Sequence, residues 1–299
     1  MVGIRDTYPR LRTGKLAAYL ACARPFTWLA PLVGVVCGAA MATRYGYTTW
    51  PTILAGWHTL LYGATTLLLL VVGNNFVNQS TDFEDAVNRP YRPIQRGLVA
   101  RDEASTIGHL LWFVALLRAA TINPTFGVLV ALLVGVSYAY SHPPIRLKAR
   151  PWLGNAGVAI ARGGLGFLAA WSLWATIWAA PPMWAAGLLT CFLVGATTAK
   201  DFPDARGDAA CGVRTLPVVY GARVAAKLSS VIVAATTVVF GFAPLKLNPW
   251  TYGTLCVCGF TLCYTMLQSH DKPNRVLEGT RPWAVMYLAL LAFQVALAF

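Results

Sequence analysis

Long apolar runs alternate with short polar stretches along the whole chain, and this alternation predicts an all-α protein. Nine runs approach or exceed the roughly 20 residues a helix needs to cross the hydrocarbon layer of a bilayer. They cover residues 24–43, 53–80, 103–122, 125–141, 153–176, 182–203, 221–243, 250–268 and 282–299. Composition supports the reading: the chain is 57% hydrophobic and only 12% charged, about half the charged share of an ordinary soluble domain. The pattern therefore predicts an integral membrane protein of nine transmembrane helices. It forms one domain over 1–299, with a polar N-terminal segment over 1–20. Met1–Leu16 is basic and lacks a signal-peptide pattern, so no cleavage is expected.

The formal charge of +13 would suit a nucleic-acid binder, but its distribution argues for a membrane instead. Under nine alternating spans, 20 of the 24 Lys and Arg residues fall on one side, in the connections before helix 1 and after helices 2, 4, 6 and 8. Only Arg44, Arg118 and Lys246 fall on the other side, and Arg162 lies inside helix 5. The positive-inside rule makes the crowded side cytoplasmic. The N-terminus is then cytoplasmic and the C-terminus outside, in a cell inner or plasma membrane, with no nucleic acid as partner. The seven cysteines are scattered, mostly within apolar spans, and read as small packing residues.

Two acidic clusters break the apolar pattern on the basic side. The first runs Asn78-Gln-Ser-Thr-Asp82-Phe-Glu84-Asp85 and leads into Asn88-Arg-Pro-Tyr-Arg92-Pro. The second is Lys200-Asp201-Phe-Pro-Asp204-Ala-Arg-Gly-Asp208. Carboxylates beside membrane spans are costly and mark function. At about 100° per residue, Asn78, Asp82 and Asp85 would share one face of a continuing helix, with Glu84 off it. Asp201, Asp204 and Asp208 have comparable spacing, although Pro203 and Gly207 argue that this helix unwinds. Oxygen donors of this kind suit Mg²⁺, which keeps waters and is completed by substrate phosphates. Asn78, Asp82, Asp85, Asp201, Asp204 and Asp208 are the candidate metal ligands. Nearby Arg and Lys would neutralise the rest of a diphosphate.

These stretches resemble the UbiA superfamily of intramembrane prenyltransferases. Asp204-Ala-Arg-Gly-Asp208 matches the family's second Asp-x-x-x-Asp motif. Asn78 and Asp82 match the first two positions of its Asn-x-x-x-Asp-x-x-x-Asp motif, with Asp85 one residue early. Arg24-Pro-Phe-Thr-Trp28, Tyr138-Ala-Tyr-Ser-His-Pro-Pro144 and Thr215-Leu-Pro217 are further similarities. The form is closest to the chlorophyll synthase, homogentisate and archaeal ether-lipid branches. The resemblance implies nine helices around a central cavity with cytoplasmic capping loops. It also implies Mg²⁺-dependent transfer of an isoprenoid chain from a prenyl diphosphate to a hydrophobic acceptor. Asp82, Asp85, Asp204 and Asp208 are then the catalytic candidates. Asn78, Arg92, Arg146, Lys148, Lys200 and Arg162 are candidates for the diphosphate, with Arg162 also able to face the acceptor. Aromatic faces stabilise a cation, and Trp57, Trp171 and Trp174 are candidates for that role.

Relatives that prenylate 4-hydroxybenzoate carry an arginine within helix 2. Here that stretch is Leu67-Leu-Leu-Leu-Val-Val-Gly73, which disfavours a carboxylated aromatic acceptor at that site and favours a hydroxyl- or ring-bearing one. The alternative is a terpene cyclase of the same superfamily, which would use the same metal site without an acceptor. A transporter is disfavoured because the polar residues gather at one face rather than at the midplane.

Overall fold

The computed structural model describes residues 14–269 and 276–298, and every regular element among them is helical. Residues 1–13 of the expected N-terminal segment and the connection 270–275 lie outside the described residues. A short helix, α1 (Lys15–Ala23), precedes a 3₁₀ turn (Pro25–Trp28) and α2 (Leu29–Arg44). There follow α3 (Trp50–Ala55), α4 (Trp57–Thr81), α5 (Asp85–Asn88), α6 (Arg101–Ala120) and α7 (Pro124–Ser141). Helix α8 (Pro151–Ala159) runs through a π-helical turn (Ile160–Leu165) into α9 (Gly166–Ser172). Helix α10 (Ala180–Ala196) tightens into a 3₁₀ turn (Thr197–Lys200). The remainder comprises α11 (Ala205–Ala210), α12 (Leu216–Tyr220), α13 (Ala222–Phe240), α14 (Pro249–Ser269) and α15 (Val276–Ala298).

Local chemistry explains where the long helices begin. Pro124, Pro151 and Pro249 open theirs, where a missing N–H costs nothing and the fixed φ already suits a helix. The Asn123 side chain accepts from the Phe126 amide at 2.8 Å, and Glu103 accepts from the Ala100 amide at 3.3 Å, satisfying N-terminal donors.

Among the described residues six helices are long and apolar enough to cross a membrane: Pro25–Arg44, Trp57–Thr81, Pro124–Ser141, Pro151–Ser172, Ala180–Lys200 and Ala222–Phe240. Six of the nine expected spans meet this measure among the described residues. Helix α6 carries Arg101, Asp102, Glu103 and Arg118, and the apolar stretch of α15 is the shorter Pro282–Ala298.

The long helices close a ring. In chain order α2, α4, α6, α7, α8, α10, α13, α14 and α15 each pack on the next, and α15 returns to α2. Where α4 crosses α6, Gly73 and Gly108 face each other. A Cβ on Gly73 would stand 2.9 Å from the Gly108 carbonyl oxygen, and one on Gly108 would stand 3.0 Å from that of Gly73. Small residues permit this backbone approach, which drives helix association where lipid supplies no hydrophobic force. Trp171, Phe126, Phe167, Phe192, Phe240 and Phe293 fill the interior. Leu61, Phe113, Leu117, Val231, Val257 and Leu288 are exposed on the outside.

Candidate active site

A cavity of about 620 Å³ opens inside the ring, and both acidic clusters line it. Asn78, Asp82, Glu84, Asp85, Lys200, Asp201, Asp204 and Asp208 all contribute to its polar end. Its apolar depth is walled by Gly34, Leu67, Leu70, Leu133, Ala170 and Leu290, with the Gln294 amide among them. From Asn78 to Leu67 along α4 is 11 residues, so the apolar part extends roughly 16 Å below the first cluster at 1.5 Å per residue.

The first cluster converges by a bend rather than along one helix face. Helix α4 ends at Thr81, and Asp82 leaves helical geometry at φ −84° and ψ 81°. Asp85 then opens the separate helix α5. This corrects the continuous-helix expectation, and it also returns Glu84 to the site. Glu84 is buried, pairs with Arg146 at 2.9 Å and lies 3.6 Å from Lys148. The second cluster unwinds as Pro203 and Gly207 foretell. A 3₁₀ turn ends at Lys200, a turn carries residues 201–204, and α11 begins at Ala205.

The two clusters touch. Asn88 Oδ1 accepts the Gly207 amide at 2.8 Å, and Asn88 Nδ2 donates to Asp208 Oδ1 at 3.2 Å. Arg89 Nη2 meets Asp204 Oδ2 at 2.7 Å. Segments about 120 residues apart are thereby clamped at one end of one cavity.

Cations interleave the carboxylates. Arg92 pairs with Asp85 and lies 3.6 Å from Asp82. Lys148 pairs with Asp82 and donates to the Thr81 carbonyl at 3.2 Å. Lys200 pairs with its neighbour Asp201. Asn78 Oδ1 accepts from Ser141 Oγ at 2.6 Å. Among the predicted residues Arg146 joins this web through Glu84, although it does not line the cavity. Arg162 lines the cavity but makes no ion pair with another described residue. Its Nη1 donates to Tyr287 Oη.

Electrostatics separate the carboxylates. Burial opposes ionisation of Asp82, yet Lys148, Arg24 and Arg92 outweigh it and hold its pKa below the usual value. Burial and Asp82 push Asp85 up. Burial raises Asp201 despite Lys200. Burial raises Asp204 to about 6, against Arg89, and Asp208 to about 8, with Asp201 and Asp204 adding to the rise. Burial and Arg92 lower Arg24 to about 10. The second cluster therefore holds carboxylates that lack sufficient positive charge.

That deficit fits a divalent cation. Among the described residues no three carboxylates converge at metal-ligating distance, because Arg and Lys stand between them. Mg²⁺ needs only one or two carboxylates together with waters and substrate phosphate, so an all-oxygen donor set facing a phosphate-sized space remains suitable.

Sequence reasoning missed several residues. Arg24 lines the cavity, its Nη2 is buried without a hydrogen-bond partner, and its φ of 49° is left-handed. Arg146, the other non-glycine residue with positive φ among those described, also belongs to the cationic web. Such backbone outliers cluster at functional sites. The available signal for Arg24 was a cation directly before Pro25 at the head of a span. Asn88, Arg89 and Ser141 lie in stretches the sequence had marked, Arg89 as a cation close to the carboxylates, but it assigned none of them a partner.

The expected tryptophans are displaced. Trp57 is 61% exposed and begins α4, roughly 36 Å along the helix from Thr81. Trp171 is fully buried and donates to the Thr176 carbonyl, and Trp174 packs over Gly56. None lines the cavity. Its aromatic lining is Phe26, Tyr91, Trp112, Tyr140, Trp283 and Tyr287.

Comparison with known proteins agrees with this geometry. The model of the UbiA prenyltransferase family matches residues 32–291. The chain is 31% identical over 222 residues to the bacteriochlorophyll synthase 34 kDa chain of Chloroflexus aurantiacus, covering 74% of this chain and 69% of that one. It is 32% identical over 229 residues to digeranylgeranylglyceryl phosphate synthase of Methanopyrus kandleri, covering 75% and 77%. Among solved structures, a UbiA homolog from Archaeoglobus fulgidus bound to GPP and Mg²⁺ has the same fold, with TM-score 0.67, 20% identity, and coverage of 94% and 99%. The chain belongs to the UbiA prenyltransferase family and is an integral-membrane prenyltransferase.

Proposed function

We propose that the protein catalyses Mg²⁺-dependent transfer of an isoprenoid chain from a prenyl diphosphate to a hydrophobic, ring- or hydroxyl-bearing acceptor within the membrane. The observation carrying this reading is the clamp of Asn88 on Gly207 and Asp208, which holds two acidic segments at the polar end of one apolar cavity. In this reading the diphosphate occupies the charged end and the chain lies along the apolar wall.

Asn78, Asp82, Asp85, Asp201, Asp204 and Asp208 would hold Mg²⁺, which supplies charge neutralisation to the departing diphosphate. Asp82 stays ionised under Lys148, Arg24 and Arg92. Arg92, Lys148 and Lys200 pair with these carboxylates and line the cavity, and with Arg24 they turn fixed donors toward the phosphate oxygens, while Arg146 supports the diphosphate site from behind through Glu84. Leu67, Leu70, Leu133 and Leu290 exclude water from the allylic carbon. Tyr140 and Tyr287 offer aromatic faces to positive charge that develops there.

The basic connections are assigned to the cytoplasm, with nine crossings, the N-terminus inside and the C-terminus outside. The named relatives support transfer to an acceptor over cyclisation. The test is incubation of the purified protein with prenyl diphosphates of several lengths, with Mg²⁺ or with EDTA, and with or without a membrane-lipid extract. Prenylated product that requires both Mg²⁺ and extract supports the proposal. A cyclic hydrocarbon or alcohol formed without extract would replace it with the cyclase reading, and full turnover in EDTA removes the metal.

A further inference from the structure

Arg162 is the cavity's unexplained charge. It occupies the π-helical turn Ile160–Leu165, a local distortion found mostly at functional sites. Gly163, its neighbour, packs against the α10 backbone so closely that a Cβ would stand 2.8 Å from the Leu189 carbonyl. The turn is therefore held, and the guanidinium is fixed at the cavity wall. Among the described residues no carboxylate lies within ion-pairing distance. Its partners are the neutral Tyr287 hydroxyl and the Tyr287 ring, whose centroid is 5.3 Å from Cζ. Of the other lining cations, Arg89, Arg92, Lys148 and Lys200 pair with the acidic clusters, Arg24 lies beside Asp82 and Asp85, and Arg96 belongs to the connection that follows the first cluster.

An arginine at membrane depth without a counter-charge is costly. Its position is also unfavourable for the reaction, because positive charge develops on the allylic carbon in the same cavity. Both difficulties vanish if a ligand brings its own anion. The diphosphate already has the metal-binding carboxylates and the Arg and Lys web at the polar end. Beside Arg162, Phe26, Trp283 and Tyr287 form a mutually edge-on aromatic wall, with centroids 4.8, 5.9 and 5.0 Å apart. That combination suits a bulky apolar body carrying one oxyanion.

We propose that Arg162 and Tyr287 bind an anionic group, a carboxylate or a phosphate monoester, on the acceptor, whose apolar body rests on Phe26 and Trp283. This rests on the prenyl-transfer reading and narrows its acceptor to an anion. It also accords with the apolar helix stretch Leu67–Gly73: the counter-charge comes from Arg162 rather than from α4.

The test uses the full-length protein in phosphatidylcholine nanodiscs, which carry no anionic lipid. Binding is measured by calorimetry for two probe pairs, 4-decyloxybenzoate against its methyl ester and decyl phosphate against decanol, and separately for GPP with Mg²⁺. The wild type should prefer the anionic member of at least one pair by about 30-fold, about 2 kcal/mol at 1.4 kcal/mol per decade. The pair that responds distinguishes carboxylate from phosphate. Arg162→Gln should abolish that preference and leave GPP affinity within about twofold. Arg162→Lys and Tyr287→Phe serve if the glutamine variant does not fold. Each should weaken the anionic probe several-fold and leave its neutral partner unchanged. No anionic preference in the wild type, or unchanged anion binding in these variants, overturns the proposal. So does a loss of GPP affinity with anion binding intact, which would return Arg162 to the donor. Failure of the wild type to bind GPP with Mg²⁺ would instead sink the prenyl-transfer reading.

Discussion

Gly207→Ala tests the clamp that joins the two acidic segments. A Cβ at 207 would stand 2.5 Å from Asn88 Cγ and 2.8 Å from its Nδ2. Carbon atoms rest about 3.5–4.0 Å apart, so the Asn88 side chain must withdraw by roughly 1 Å or more. Its bonds to the Gly207 amide and to the Asp208 carboxylate are then lost. One neutral bond and one to a charged group sum to about 2–4 kcal/mol. Helix α5 carries Asp85, and α11 carries Asp208, so the same shift separates candidate metal ligands. Misplacement of about 1 Å can cost about 100-fold in rate. The assay follows diphosphate release and prenylated product while Mg²⁺ is titrated. The expected result is kcat/KM down about 100-fold and a higher half-saturating Mg²⁺, with helical circular dichroism unchanged. Asn88→Ala removes the obstructing amide, so the double variant should match Asn88→Ala alone. Such non-additivity marks residues in contact. Wild-type kcat/KM in Gly207→Ala, or strictly additive losses, would refute the reasoning.

Asp82→Asn and Asp204→Asn should each lower turnover at least about 100-fold while the protein still elutes as a monodisperse, helical species. Retained activity in either would count against the metal-ligand assignment. The pH response has a defined sign. Asp204 at about 6 and Asp208 at about 8 sit above the ordinary aspartate value of about 3.9, so the folded apo protein binds more protons than the unfolded chain between about pH 4 and 8, and its stability falls as pH rises through that window. The lowered pKa of Asp82 acts with opposite sign only below its unfolded value. Thermal unfolding of EDTA-treated protein should therefore have a lower midpoint at pH 8 than at pH 5.5, and Mg²⁺ should raise the midpoint more at pH 8. Equal Mg²⁺ effects at both pH values would contradict this. Gln294 is buried, and its Oε1 has no hydrogen-bond partner. Gln294→Leu should stabilise the protein by about 1 kcal/mol, read as a raised unfolding midpoint. A lowered midpoint would mean that the amide is satisfied inside the cavity it lines.

The amino-acid sequence alone determined the helical class, the placement of the long helices and the identity of the acidic clusters. Hydrophobic periodicity and span length are local properties, and carboxylates beside apolar runs stand out without a fold. Proline and glycine even marked where the helix after Lys200 unwinds. Tertiary structure decided which polar groups meet. The bend at Asp82 brought in Glu84, Asn88 reached Gly207 and Asp208 from the other half of the chain, and Arg24 turned its buried Nη2 into the site. It also put Phe26, Tyr91, Trp112, Tyr140, Trp283 and Tyr287 on the cavity wall in place of the conspicuous Trp57, Trp171 and Trp174. Such choices depend on where helices cross and how a ring closes, and the spacing along one strand of sequence carries no record of distances between segments more than 100 residues apart.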